Sequence, residues 1–388
     1  MDILVKNAII VLPDRVIEGD ISVADGKIAA IGERFSGSAT QVIDAGRGHV
    51  IPGIIDLHGD DIEFEIGALG PKASARRMPV DLGLIQSDKN AAGWGITTKF
   101  HAIAYFEEES KGRSKRLSSE IMDSIARLAE AEHLLVDHWV DLRYEITGDP
   151  TYTLTALEHP RVKAVSLMDH TPGEGQFATS EAYKALNRQL TAADEEEFDR
   201  ILAEKGARQH LKWDHVARVC ERARLLGLLI ASHDDHTPEK VEIMAAHGCR
   251  LAEMPVRLDA AQKAKSLGLK VSMAAPNVVR GGSSSGNLNA VDALEALALD
   301  SLCSDYHLPS LLTAGGLLLR QRLVSWPELA ALLAANAADA LGLVDRGRIE
   351  PNKRADLAVV RMEMGFPIVQ ATIAKGQIVY HDLRFQRS

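Results

Sequence analysis

Acidic and imidazole side chains recur in this 388-residue chain directly behind short apolar runs. The run Ile51–His58 leads into Asp56-Leu57-His58-Gly59-Asp60-Asp61, and His138–Ile146 carries Leu142-Arg143-Tyr144-Glu145. Val162–Asp169 is followed by His170, and Gly227–His233 opens onto Ser232-His233-Asp234-Asp235-His236. Arg250–Met254 contains Glu253, Leu302–Tyr306 contains Ser304-Asp305, and Thr97–Ala104 contains Lys99 and His101. His58 and Asp60 stand two apart, a spacing that places both side chains on one face of a strand, as chelation requires. Taken singly, each of these groups is more often a hydrogen-bonded or solvated rim residue, and Asp234-Asp235 reads as a helix N-cap before Thr237-Pro238. Taken together they predict a polynuclear metal site. So many ionisable groups are costly to bury side by side unless a cation neutralises them.

The runs themselves say what positions these residues. With Leu269–Ala275 they number eight, and helix-like stretches such as Ser118–His133, Pro238–His247, Asp259–Leu267 and Ala290–Leu299 lie between them. Eight strands alternating with helices predict a (β/α)8 TIM-like barrel, whose functional groups collect at the C-terminal ends of the strands. Ser180–Arg224 reads as a charged helical insertion between the fourth and fifth strands. An open doubly wound sheet is the rival, disfavoured because no glycine-rich phosphate loop follows the first strand. Outside the barrel, short strands at the two ends (Ile3–Val5, Ala8–Val11, Asp20–Val23, Lys27–Ile31, then Ala355–Val360, Ile368–Ile373, Gln377–Tyr380) are too poor in apolar residues to form separate cores. They predict one small discontinuous β domain from 1–50 and 345–388, with the barrel domain at 51–344.

Composition narrows the function. The formal charge of −10 argues against a broad nucleic-acid footprint, which needs a basic face. The apolar runs are too short for a membrane span, and the alternating N-terminus is unlike a signal peptide. Cys220, Cys249 and Cys303 are widely spaced and suggest neither a disulfide framework nor a zinc knuckle, so a cytoplasmic enzyme is expected. An anionic substrate would need locally concentrated positive charge. Asn277-Val-Val-Arg280-Gly281-Gly282-Ser283, behind the seventh run, offers a guanidinium, backbone N–H groups and hydroxyls suited to phosphate or phosphonate oxygens; a flexible glycine loop with a surface arginine is the bland alternative. Lys72, Arg76 and Arg77 are candidates for a lid, and Met168, Met254 and Met273 for barrel packing.

The stretch Val50-Ile-Pro-Gly-Ile-Ile-Asp-Leu-His58, a split β domain and an aspartate at the eighth strand together resemble the amidohydrolase superfamily. Within it, Asp56–Asp61, Leu167–Gln176, Ser232–Asp235, Ala275–Ser283 with Ser285-Gly286-Asn287, and Leu302–Tyr306 are similar to the PhnM family of ribose phosphonate diphosphatases in the carbon–phosphorus lyase pathway. These motifs run from the first strand to the eighth. The chain has His58-x-Asp60 where the wider superfamily has His-x-His, and Ser284 where the family pattern has histidine.

The resemblance implies hydrolysis of α-D-ribose 1-methylphosphonate 5-triphosphate to the 5-phosphate and pyrophosphate, with two divalent metal ions, zinc first and manganese or iron as alternatives. It implies His58, Asp60 and Asp305 around one ion and His233 at the second, with Asp305 orienting the attacking water and accepting its proton. Glu145 is the expected bridging carboxylate, with Asp169 second. Glu253 either replaces a sixth-strand histidine ligand or is a rim acid capping the next helix; His101 and His170 are reserve ligands or donors behind them. Asn277, Arg280, Gly281, Gly282 and Ser283 are expected to bind substrate. The expected partner is a triphosphorylated ribose phosphonate, with no nucleic acid and no membrane; a homodimer is compatible with such a barrel. Two alternatives stand: hydrolysis of a cyclic or N-acyl C–N bond by the same metal centre, and a non-catalytic barrel serving as a scaffold.

Overall fold

A computed structural model of the chain describes residues 1–35, 38–69, 76–104, 114–171, 200, 209–283 and 285–386. Period-two apolar residues near the N-terminus form strands β1 (Ile3–Val11), β2 (Val16–Ala24), β3 (Lys27–Gly32), β4 (Gln41–Asp44) and β5 (His49–Pro52). Gly53 then separates two sheets. A side chain there would lie 2.4 Å from Thr97, so only glycine lets the chain pass from the terminal sheet into the barrel. The predicted run Ile51–His58 is therefore two strands, β5 and β6 (Ile54–Gly59). After β6, a two-residue pairing joins β7 (Ala68–Leu69) to β8 (Arg76–Arg77).

The remaining barrel strands are β9 (Ile96–Ala104), β10 (Asp137–Glu145), β11 (Val162–Met168), β12 (Leu229–His233), β13 (Leu251–Glu253), β14 (Lys270–Ala274) and β15 (Ser301–Cys303). They pair in sequence order with β6, all parallel, and a bridge between Gly59 and Asp305 brings the last strand back to the first. This is the expected eight-stranded (β/α)8 architecture. Ile55, Leu57, Phe100, Ala164, Leu229, Ala231 and Leu251 form one apolar cluster. Val140, Leu142, Val165, Leu167, Ile230 and Val271 pack instead with the surrounding helices. The helix Lys115–Glu130 shows why: Leu117, Ile121, Ile125 and Leu128 recur every three or four residues and are all buried. The helix Pro238–Ala246 is capped by the Thr237 side chain, which accepts from the Lys240 N–H; the capping expected of Asp234 or Asp235 falls to Thr237.

The C-terminal strands β16 (Leu357–Glu363), β17 (Phe366–Ala374) and β18 (Gln377–His381) complete the terminal sheet, because β16 pairs with β5 and β5 with β1. Both ends thus share the core of Ile3, Val5, Ile21, Ile43, Val359 and Ile373, as a discontinuous β domain requires. The turns Asp25-Gly26 and Lys375-Gly376 have positive φ at both residues, the geometry that matches hairpin twist. They abut, and a Cβ on Gly376 would lie 2.4 Å from the Gly26 Cα. Of the expected insertion Ser180–Arg224, residues 180–199 and 201–208 lie outside the described residues; the helix Lys212–Leu225 is its C-terminal part. No helix among the described residues is long and apolar enough to cross a membrane.

Candidate metal centre

Strands β6 and β15 meet at the barrel mouth through backbone hydrogen bonds. The Asp305 N–H donates to the His58 carbonyl (2.9 Å), and the Asp60 N–H donates to the Asp305 carbonyl (2.6 Å). Asp305 lies just past the end of β15 at φ +53°. Asp234 and Met254, which follow β12 and β13, are also left-handed, at φ +57° and +52°. Such conformations cost non-glycine residues roughly 1–3 kcal/mol and persist only where surroundings impose them. Here three barrel strands end in left-handed residues, two of them directly after His233 and Glu253 and the third Asp305 itself.

Inside this rim His58, His233 and Glu253 converge. Each offers a ligand atom within 4.8 Å of the others, and all three residues are buried. His58 Nδ1 lies 3.4 Å from a Glu253 oxygen and 3.5 Å from an Asp141 oxygen, close enough for ion pairing but without hydrogen-bond geometry. Neither ring nitrogen of His233 has a hydrogen-bond partner, although Nδ1 lies 3.0 Å from Asp234. Burial opposes charge on His58, but Glu253 and then Asp141 outweigh it and raise its pKa well above the ordinary value. Burial likewise works against the Glu253 carboxylate, yet His58 and His233 hold its pKa below the usual range. Asp141 is raised by burial and by the charge of Glu253, and one of its oxygens has no hydrogen-bond partner. Ser166 ties the two acids together, its hydroxyl 2.7 Å from Asp141 and 2.5 Å from Glu253.

The other residues singled out from the sequence fall into distinct settings. Burial raises the pKa of Asp305, whose carboxylate also senses the charges of His58, Asp60, Arg143 and His233. Asp60 receives Nη1 of Arg143 at 3.1 Å. Glu145 accepts from the His170 N–H at 3.1 Å and lies 2.8 Å from its Nδ1, so the two expected site residues pair with each other. Asp169 sits between Lys240 (2.9 Å) and Lys212 (3.3 Å); against its burial, Lys240, hydrogen bonding with Thr171 and then Lys212 bring its pKa down to about 2. His101 pairs with His138 at 2.8 Å, and His138 with Asp88 of the helix Val80–Gly93 at 2.9 Å. Burial, then Lys99 and His138, push His101 well below the ordinary imidazole value. Glu145, Asp169, His170 and His101 thus lie outside the three-residue cluster.

The segment after β14, expected as a loop, is the helix Ala275–Arg280 followed by Gly281, Gly282 and Ser283. Asn277 is buried: its amide donates to the Leu288 carbonyl and accepts from the Ala290 N–H. Arg280 is exposed and donates to the Tyr306 hydroxyl beside Asp305. Lys72, Ser284 and residues 172–176 lie outside the described residues; Arg77 is exposed.

The donor set fits a divalent cation. Two imidazoles and a carboxylate, with orphaned ring nitrogens and a second buried acid beside them, are costly without a cation and suit one chemically. Asp141 and Ser166 were missed at the sequence level. Asp141 shares the period-two face of Arg143 and Glu145, which is a visible signal; nothing in the local pattern marks Ser166, whose partners lie 25 and 87 residues away.

Residues 155–379 match the Amidohydrolase family. The chain is 32% identical over 364 residues to the alpha-D-ribose 1-methylphosphonate 5-triphosphate diphosphatase of Escherichia coli (strain K12), covering 92% of this chain and 94% of that one. A shorter similarity, 49% over 57 residues, links it to an allantoinase of Desulfitobacterium hafniense (strain Y51), covering 15% of this chain and 13% of that one. In structure, a dihydropyrimidinase from Brevibacillus agri superposes with a TM-score of 0.64 at 14% identity, over 98% of this chain and 95% of that one, which speaks for the fold alone. With more than half its length matched by the family and nearly all of it aligned to one relative, the chain belongs to the amidohydrolase family.

Proposed function

We propose that the protein hydrolyses α-D-ribose 1-methylphosphonate 5-triphosphate to the 5-phosphate and pyrophosphate. The observation that carries this is the likeness to the E. coli diphosphatase across 94% of that enzyme's length, in a chain whose barrel mouth gathers His58, His233 and Glu253. Family membership implies divalent metal ions. We assign His58, His233 and Glu253 as their primary holders, with Asp60 and Asp305 completing the set for two ions and zinc the first candidate. When bound, such ions polarise a phosphoryl oxygen and make water more acidic. Asp305 orients the attacking water and accepts its proton, its backbone fixed at the mouth by the hydrogen bond from its N–H to the His58 carbonyl. The water oxygen adds at phosphorus as the anhydride bond to the departing pyrophosphate breaks. Glu145 and His170 act as a pair beside this centre. Arg280, Gly281, Gly282 and Ser283 border it, with Asn277 fixing the segment behind them. The division into 1–50 with 345–388 and 51–344 belongs to the same reading, as does a cytoplasmic setting, with which three free, buried cysteines agree.

Purified protein loaded with zinc or manganese tests the reading by phosphorus NMR and elemental analysis. Equimolar pyrophosphate and 5-phosphate, with two metal ions per chain, are expected. Opening of hydantoin or allantoin rings without phosphoanhydride cleavage would make it a C–N hydrolase. A folded protein that takes up no metal would make it a scaffold.

A further inference from the structure

Arg143 has no role in the ligand set, yet it reaches residues at the mouth from two other strand ends, Asp60 and Met168. It lies on β10 between Asp141 and Glu145, and its side chain is only 10% exposed. Two of its three nitrogens are committed: Nε donates to Met168 Sδ at 3.0 Å, and Nη1 donates to Asp60 at 3.1 Å. Among the described residues Nη2 has no partner. The charge of the guanidinium is felt at His58, Asp234 and Asp305, which places it beside the metal-binding cluster. A fixed guanidinium next to a site built for divalent cations is repulsive in the loaded protein. An anion lying between them turns that repulsion into two attractions.

We propose that Arg143 is a substrate-binding residue that grips a non-bridging oxygen of the phosphoanhydride through Nη2, while Asp60 and Met168 hold its plane in place. A guanidinium suits this geometry because its nitrogens form a rigid fork, so one edge can be anchored by protein while another meets the ligand. A triphosphate carries several anionic oxygens and can engage a metal ion and this arginine together. A cyclic amide has no such charge to offer. The proposal rests on the phosphoanhydride reading above, extending it to the group that recognises the charge.

The test is pyrophosphate binding by calorimetry to the metal-loaded protein, measured beside triphosphate turnover, metal content and Tm. Arg143→Gln should weaken pyrophosphate binding at least about tenfold, as expected for loss of a charge-assisted hydrogen bond, with metal content and Tm close to wild type. Unchanged pyrophosphate affinity in that variant overturns the proposal, as does affinity lost only in parallel with bound metal, which would make Arg143 a prop for Asp60. Arg143→Lys guards against misfolding. It keeps a charge beside Asp60, but one ammonium cannot reproduce the fork, so binding should weaken about threefold or more; wild-type affinity there also overturns the proposal. The two readings fail separately. Turnover with Arg143-independent pyrophosphate binding sinks only this one, and Arg143-dependent binding without turnover sinks only the diphosphatase.

Discussion

The two ends of the barrel hold their buried charges in opposite ways. At the N-terminal end of β10, Asp137 receives Arg346 (2.5 Å) and Arg354 (2.6 Å) on one oxygen and Lys375 (2.6 Å) on the other. Arg346 also donates to Thr98 and Asp345, and Arg354 to Asp356. These cations come from the C-terminal segment, so the network ties the terminal sheet to the foot of the barrel. At the mouth, His58, His233 and Asp141 keep buried polar atoms without hydrogen-bond partners. The same strands supply both ends. The charges at the foot are paired within the protein, whereas the mouth keeps buried imidazole and carboxylate atoms suited to a cation, the division of labour expected of a (β/α)8 barrel.

If the foot serves stability, Asp137→Asn should be the most damaging change to folding. It leaves three cations around a neutral amide and should cost about 3–5 kcal/mol, the usual penalty for breaking a buried ion pair. Denaturant unfolding checks this, and kcat of the folded fraction should remain near wild type. A large fall in kcat with little loss of stability would erase the contrast between the ends.

At the mouth, Asp305→Asn reverses the pattern. The amide keeps the shape of Asp305 but is a far weaker base, so kcat should fall by at least about a hundredfold. Most of the metal should be retained, since the amide oxygen can still reach an ion, and Tm should stay near wild type. Near-normal kcat at full metal occupancy would remove Asp305 from the chemistry.

Asp169 tests the boundary between the two behaviours. It lies at the mouth end of β11 but is paired like the foot, between Lys240 and Lys212. Its pKa is lowered from 3.8 to about 2 in the fold. Its stabilisation is therefore present above the unfolded value near 3.8 and is lost as pH falls through about 2. From that shift, Asp169→Asn should cost on the order of 2 kcal/mol at neutral pH, with the deficit vanishing in strong acid. Urea unfolding at pH 7 and near pH 2 measures it. A deficit that persists unchanged at low pH would mean packing, not charge, holds Asp169.

Much of this was legible in the chain. Apolar-rich runs of five to nine residues alternating with helical periodicity are local signals, and they located all eight barrel strands within a few residues. The polar residues behind those runs could be read as site candidates because a barrel presents every strand end at one mouth. Depth and partner were not local. Glu145 stands two residues beyond Arg143 on the same face, yet it meets His170 while Arg143 meets Asp60. His101 resembles a mouth histidine in sequence, but it pairs with His138, which in turn meets Asp88 of a packed helix. In a strand fully buried on both faces, like β9, no polar–apolar alternation tells the inner side from the outer.

The sequence by itself determined the parallel barrel, the shared terminal sheet and the stock of ligand types, because each follows from periodicity, turn chemistry and residue identity. Only the tertiary structure decided which of those residues combine. Whether His58 faces Glu253 and Asp141, or Asp169 is absorbed by two lysines, depends on strand stagger and helix placement across separations from 43 to 195 residues. Over such distances the partners are brought together by the packing of the whole barrel, and no neighbouring residue carries that information.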